Sequence, residues 1–290
     1  VRIRIDLAYD GTDFSGWARQ PGLRSVEQTL AEGLGTVLRT PPPKLTVGGR
    51  TDAGVHARGS VCHLEVDPRV WRALPGRSAR PSGEALVSRL RGVLPGDVVV
   101  RAATAVPGTF DARFSALRRR YTYRVCDRPH LLDPLRRHDT VVWRRPLDVA
   151  LMDEAGGTLL GLRDFAAFCR RRDGATTVRT LLAHGWWRDD TGVLVGTVEA
   201  DAFCHSMVRA LVGSVVAVGE GRRPVGWPLE VLRAGRRDPA VQVMPAHGLC
   251  LEEICYPEGE EALAIRDRES RAVRSLNDPQ VGQEGDAPTG

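Results

Sequence analysis

The sequence predicts an α+β fold: two similar lobes of mainly antiparallel sheet with helices on one face. Two observations carry this. Strand-like alternation and helical periodicity come in blocks, without the regular strand–helix alternation of a doubly wound parallel sheet. The order of those blocks is similar in the two halves of the 290-residue chain, although residue identity between the halves is too low to prove a repeat.

The first ten residues, "VRIRIDLAYD", alternate Ile3, Ile5, Leu7 and Tyr9 with Arg2, Arg4 and Asp6, the pattern of a half-buried strand. A glycine-rich loop, "YDGTDFSGW", follows. Ser25 and Gln28 then form a capping-box pattern ahead of Val26, Leu30, Leu34, Val37 and Leu38 at helical spacing, and "PPP" at 41–43 stops that helix. "LTVGG" and "VCHLEV" read as short strands bracketing a second glycine-rich loop. Leu86, Leu90, Val93 and Leu94 mark another helix, and "VVVRAATAV" another strand. In the second half "YTYRV" and "TVVW" are strand-like, and "LDVALMDEAGGTLL" is an apolar-periodic helix. "TVRTLLAHGWW" and "VLVGTVEADAF" form a hairpin around "DDTG". "SMVRALVGSVVAVG" predicts a helix packed with small residues, and "HGLCLEEICY" a closing strand. The expected domains are a first lobe over 1–106, a second over 107–256, and a tail over 257–290. That tail is rich in Glu, Arg, Gly and Pro without periodicity, so disorder is expected there.

Composition narrows the class. No run approaches the ~20 apolar residues of a membrane span. The opening stretch alternates as a strand and not as a signal peptide, so a cytoplasmic protein is expected. Six cysteines (62, 126, 169, 204, 250 and 255) contain no C-x-x-C pair, which argues against a zinc knuckle and a disulfide framework; they read as buried thiols. Net charge is +5, but residues 257–290 hold eight acids and four arginines, so the first 256 residues carry +9. Only one of the 41 basic residues is a lysine. "RFSALRRRYTYR" (113–124) and "CRRRDGATTVR" (169–179) interleave arginines with aromatic or loop residues. Guanidinium groups fork onto phosphates and aromatics stack on bases, so such stretches suit nucleic acid.

One acid stands out. In "GGRTDAGVHARG" (48–59), Asp52 sits among small residues with Arg50 two positions before it. Taken alone it is more readily a turn residue, whose carboxylate bonds nearby N–H groups. Metal binding needs partners, and only His56 follows at ligand spacing, so no metal is expected. Neither G-x-x-x-x-G-K-[ST] nor G-x-G-x-x-G is present, and no G-x-S-x-G elbow occurs. What remains is a lone carboxylate beside a permanent cation, an arrangement that keeps an acid ionised. Such a group can attack an anomeric carbon, and in RNA that carbon is C1′ of a nucleotide swung out of its stack.

The chain resembles the tRNA pseudouridine synthases of the TruA type over nearly its whole length up to about Tyr256. The matching motifs are "YDGTDFSGWARQPG…SVEQTL", "GGRTDAGVHARGSV", "FDARFSALRRRYTYRV", "DFAAFCRRRDGATTVRTL" and "FCHSMVRALVGSVVAVGEG", in that order. The resemblance implies that Asp52 is the catalytic aspartate and that Tyr121 stacks on the flipped uracil. It implies that Arg209 pairs with Asp52 across a catalytic cleft between the lobes and that Arg50 enters the RNA where the uridine leaves. Arg209 also lies within an otherwise apolar helix, where an arginine is costly unless it finds an acid. The implied reaction isomerises uridine to pseudouridine in the anticodon stem-loop, at tRNA positions 38, 39 and 40, by a homodimer that needs no cofactor. The alternative is a catalytically inactive RNA-binding protein. Ala18, Glu27 and Ser60 depart from frequent family residues, which leaves the RNA contacts of those loops open.

Overall fold

The structure is a computed structural model that describes residues 1–170, 176–272 and 276. In chain order the first elements are β1 (Arg2–Tyr9), α1 (Val26–Leu38), β2 (Thr46–Val47) and β3 (His56–Glu65). Then come α2 (Pro68–Ala73), α3 (Ser82–Leu90), β4 (Val98–Val106), β5 (Arg118–Cys126), β6 (Val141–Val142) and α4 (Val149–Gly157). The chain continues through β7 (Gly161–Asp164), β8 (Val178–Arg188), β9 (Leu194–Ala200), α5 (Met207–Gly219) and α6 (Trp227–Ala234). It closes with β10 (Leu249–Cys255) and α7 (Glu260–Arg271). The architecture is α+β, as the blocked pattern predicts.

Two compact units divide the chain: Val1–Arg119 with Leu249–Ala272, and a second centred on Arg120–Gly248. In the first, strands run in the order β4-β1-β3-β10, with β2 also paired to β3. β1 is antiparallel to both neighbours, with Ile5 opposite Cys62 of β3 and Ala103 of β4. Its alternation fixes which face is core: Ile3, Ile5 and Leu7 are fully buried, while Arg2, Arg4 and Asp6 are only half-buried. α1 starts where the capping pattern places it, with the Gln28 N–H donating to Ser25 Oγ. Val26, Leu30, Leu34 and Leu38 form its buried stripe.

In the second unit the order is β5-β9-β8-β7, with β6 beside β5. β8 and β9 make the expected antiparallel hairpin, from Ala183 opposite Glu199 to Arg188 opposite Leu194. α5 is buried at every residue except Arg209. A helix apolar on all sides belongs in a core, and the small residues let neighbours approach it closely.

Three expectations need correction. The first lobe does not end at 106, because residues 107–119 and 249–272 also belong to the first unit. β10 is parallel to β3, with Cys250 opposite His56. The following Tyr256 packs its ring on Phe110 at 4.9 Å, and its hydroxyl donates to Ala112 O at 2.7 Å. The tail is not disordered from 257: α7 buries Leu263 and the stem of Arg266, whose Nε donates to Ala116 O at 3.1 Å. Residues 273–275 and 277–290 lie outside the described residues. Finally, Cys169 and Cys204 form a disulfide in the second unit, so only Cys62, Cys126, Cys250 and Cys255 are free thiols. The fold brings the turn after β7 beside the segment before α5, a pairing that spacing along the chain does not reveal.

Docking of α7 is testable by a contrast along one helix. Leu263 is 7% exposed and Ile265 42% exposed. Leu263→Ala is expected to cost about 2 kcal/mol in urea unfolding, at the low end for buried leucines because the site is peripheral. Ile265→Ala is expected to stay within about 0.5 kcal/mol of the parent. Equal effects from both would mean that the helix does not pack as described.

Candidate active site

Asp52 lies on the connection between β2 and β3, and that connection is held from several sides within the first unit. Gly48 opens it, its N–H donating to Val61 O at 2.8 Å. A Cβ at Gly48 would meet the Tyr256 hydroxyl at 2.5 Å and Ala112 O at 2.7 Å, so only glycine fits. The buried guanidinium of Arg119 donates from Nε (3.1 Å) and Nη2 (2.8 Å) to Gly48 O, and from Nη2 to Arg113 O at 2.7 Å. Thr51 Oγ1 is 2.8 Å from the Tyr9 hydroxyl, and Gly54 takes a positive φ of 76° that turns the chain back towards β3.

The N-terminal glycine-rich loop closes on the same segment. The Trp17 N–H donates to Thr51 O at 3.0 Å, and the Gly54 N–H to Phe14 O at 3.2 Å. A Cβ on Gly16 would sit 2.9 Å from Thr51 O and 3.2 Å from Ala53 N, and one on Gly11 would collide with Val55 O. The Gly11 N–H donates to Nδ1 of the buried His56 at 3.0 Å. This backbone-to-backbone packing leaves Asp52 half-buried and Arg50 exposed. A carboxylate on so constrained a loop is pre-positioned for attack or proton transfer.

Tyr121 and Arg209 belong to the second unit, whereas Asp52 and Arg50 belong to the first. Tyr121 is 6% exposed, and its ring meets the edge of Phe203 at 5.2 Å and 90°. Phe203 is joined directly to Cys204, so the bond to Cys169 anchors the chain that carries it. Arg209 is half-buried and donates from Nε to Met244 O at 2.6 Å. A backbone carbonyl thus meets part of the demand that its apolar helix creates. Nearby, the Tyr123 hydroxyl donates to Pro245 O at 2.7 Å, and burial pushes its pKa well above the usual phenol range against the opposing pull of Arg209.

The basic stretches divide by role. Arg119, read from sequence as part of an RNA grip, is instead a brace for the Asp52 loop. The signal was available: Arg119, Tyr121, Tyr123 and Val125 share one face of β5 by period-two alternation, and that face is buried. Arg113 stays exposed over the Phe114 ring at 4.9 Å. Arg179 turns back on Val178 O (2.6 Å) and Thr176 O (2.7 Å). Arg171 and Arg172 lie outside the described residues. Phe203, Tyr9 and Thr51 are supporting residues that sequence reasoning missed. Among the described residues no group of three His, Cys, Asp or Glu side chains could hold a metal ion.

The family model described as tRNA pseudouridine synthase matches residues 155–257. The chain is 55% identical to tRNA pseudouridine synthase A of Frankia casuarinae, over 94% of this chain and 96% of that one. It is 52% identical to that of Streptomyces griseus over 95% of each, and 45% identical to that of Mycobacterium leprae over 95% and 96%. With this identity across both units, and not only around the Asp52 loop, the chain belongs to the tRNA pseudouridine synthase A family.

Proposed function

We propose that the chain isomerises uridine to pseudouridine in the anticodon stem-loop of tRNA, at positions 38, 39 and 40, with Asp52 as the attacking carboxylate. The observation that carries this reading is the immobilised loop presenting a single half-buried acid, in a chain of this family. In the reaction the N1–C1′ bond breaks, the uracil turns over, and C5 joins C1′. C5 loses its proton and N1 gains one, so nothing else is consumed. Asp52 acts at C1′, Tyr121 stacks on the extruded uracil, Arg50 fills the space in the RNA, and Arg209 serves Asp52. The enzyme works as a cytoplasmic homodimer. No helix among the described residues is long and apolar enough to cross a membrane.

Asp52→Asn keeps the shape of the side chain and removes its charge. Turnover, followed as tritium release from uracil C5, is expected to vanish, with tRNA affinity within about tenfold, or ~1.4 kcal/mol. Substantial residual release would remove Asp52 from the chemistry.

Arg119→Met tests the brace without touching the acid. It leaves two carbonyls without their donor, which costs about 1–3 kcal/mol of stability. A displaced loop is expected to lower kcat by about ten- to a hundredfold at little change in tRNA affinity. A stability loss with parental kcat would make Arg119 structural only.

Tyr121 has two separable jobs. Tyr121→Phe keeps the stacking face, worth roughly 1–3 kcal/mol per base, whereas Tyr121→Leu removes it. If the hydroxyl helps to move the C5 proton, Phe binds tRNA like the parent and turns over about a hundredfold slower. That is the outcome expected here, since phenylalanine would serve a pure stacking role equally well. Full activity in both variants would exclude the residue.

A further inference from the structure

The first unit carries a second basic feature that shares no residue with the loops around Asp52. β4 ends the strand order of that unit, and α3 lies against it. The helix approaches so closely that a Cβ at Gly83 would collide with the Ala103 carbonyl. Where the two diverge they leave a groove of about 440 Å³, lined by Arg80, Glu84, Ser88, Arg91, Arg101 and Thr104 among others. All three arginines are exposed. Arg80 Nη1 donates to Ser88 Oγ at 3.3 Å, joining two of the lining residues.

Charge is one-sided here. Pro75–Gly96 contains Arg77, Arg80, Arg89 and Arg91 against the single acid Glu84, a net +3, and Arg101 adds to it from β4. This contrasts with the arginines elsewhere in the unit that are tied to carboxylates: Arg2 to Glu65, Arg4 to Asp6, Arg24 to Asp97 and Arg58 to Glu252. Strand pairing gives the groove's place. Tyr9 is opposite Ala57 of β3 and Val98 of β4, and this is the end of the sheet nearest the Asp52 loop. Arg101 and Thr104 lie three and six residues beyond Val98, so about 10–20 Å along the strand, and two strands over from β3, about 10 Å more.

We propose that this groove binds the sugar–phosphate backbone of tRNA at a point remote from the reacting uridine, as an electrostatic anchor separate from the catalytic loop. The inference rests on the functional reading above. Guanidinium forks match phosphate oxygens, and Ser88 and Thr104 supply hydroxyls that suit ribose or phosphate. Each phosphate neutralised releases counterions, so the anchor has a salt signature of its own.

The experiment uses the full chain with Arg80, Arg91 and Arg101 changed to alanine. A control replaces the exposed Arg233, Arg236 and Arg237, removing the same charge elsewhere. Affinity for full-length tRNA is measured from about 50 to 200 mM salt. The groove variant is expected to bind about ten- to a hundredfold more weakly at the low-salt end. Its log–log salt slope should be shallower by about two, with kcat at saturating tRNA unchanged. The control is expected to lose less than half that slope. Parental affinity and slope in the groove variant, or equal losses in the control, would overturn the proposal while leaving the enzyme reading standing. A parent that neither bound nor isomerised tRNA would overturn both. Should the triple variant fail to fold, Arg91→Glu alone carries the test, with a loss of about tenfold expected and parental binding overturning the proposal.

Discussion

The buried guanidinium of Arg119 is the interaction on which the geometry of the Asp52 loop depends. A cation taken out of water costs several kcal/mol unless its donors are satisfied. Here the Gly48 and Arg113 carbonyls satisfy them, at 2.7–3.1 Å. Because Arg119 sits at the start of β5 and Gly48 at the end of β2, the contact fixes the root of the loop to a strand 71 residues away in sequence. Beneath it, the Tyr256 hydroxyl and Ala112 O occupy the space that any side chain at residue 48 would need. The C-terminal return of the chain is therefore part of the support for an acid near its beginning. β10 joins the first unit by pairing with β3, and α7 by the reach of Arg266 to Ala116 O.

Above the root, the loop is clamped by backbone and not by side-chain bulk. Gly11 and Gly16 let two loops approach to hydrogen-bonding distance, Gly54 turns the chain at a positive φ, and the Tyr9–Thr51 contact locks the residue before the acid. Close-packed backbones have few alternative arrangements, so the entropy of fixing Asp52 is met on folding and not during reaction. A glycine-rich sequence usually means freedom. Here Gly11 and Gly16 are what permits rigidity, because each lacks an atom that would hold two stretches of backbone apart.

Much of this was legible in the sequence, and the failures have physical causes. The alternation in β1, the Ser25 cap of α1 and the largely apolar α5 are local patterns, and each reads directly. The tight turn at Asp52 was legible because small residues crowd a lone acid, whereas its proposed role rested on the family resemblance. The domain boundary was not, since β10 pairs with β3 in parallel across nearly two hundred residues of chain and leaves no local trace. α7 escaped because its buried face consists of Leu263 and an arginine stem, too little apolar surface to set up a period. The Cys169–Cys204 bond joins residues 35 apart that only the fold brings together. Arg119 is the instructive failure: its alternation with Tyr121 and Tyr123 marked it as buried, but its place in a run of three arginines drew it into a basic patch.

That failure bears on how charge should be used for this chain. A net charge of +9 over the first 256 residues does not measure a nucleic-acid surface, because many of the arginines hold the protein to itself. Arg188 forks onto Asp127 at 2.7 and 2.8 Å, and Asp127 is held below the usual carboxylate range by that pair and the Leu147 N–H, against its burial. Arg124 meets Asp189, Arg24 meets Asp97, and Arg266 reaches Ala116 O. The planar fork that lets arginine grip a phosphate equally lets it tie two loops through a carboxylate or a pair of carbonyls. The chain's near-exclusive use of arginine over lysine serves both ends, and composition alone cannot separate them. Exposure and local charge balance can, and by that criterion the α3–β4 groove, with three exposed arginines against Glu84, is set apart from the braced arginines around it.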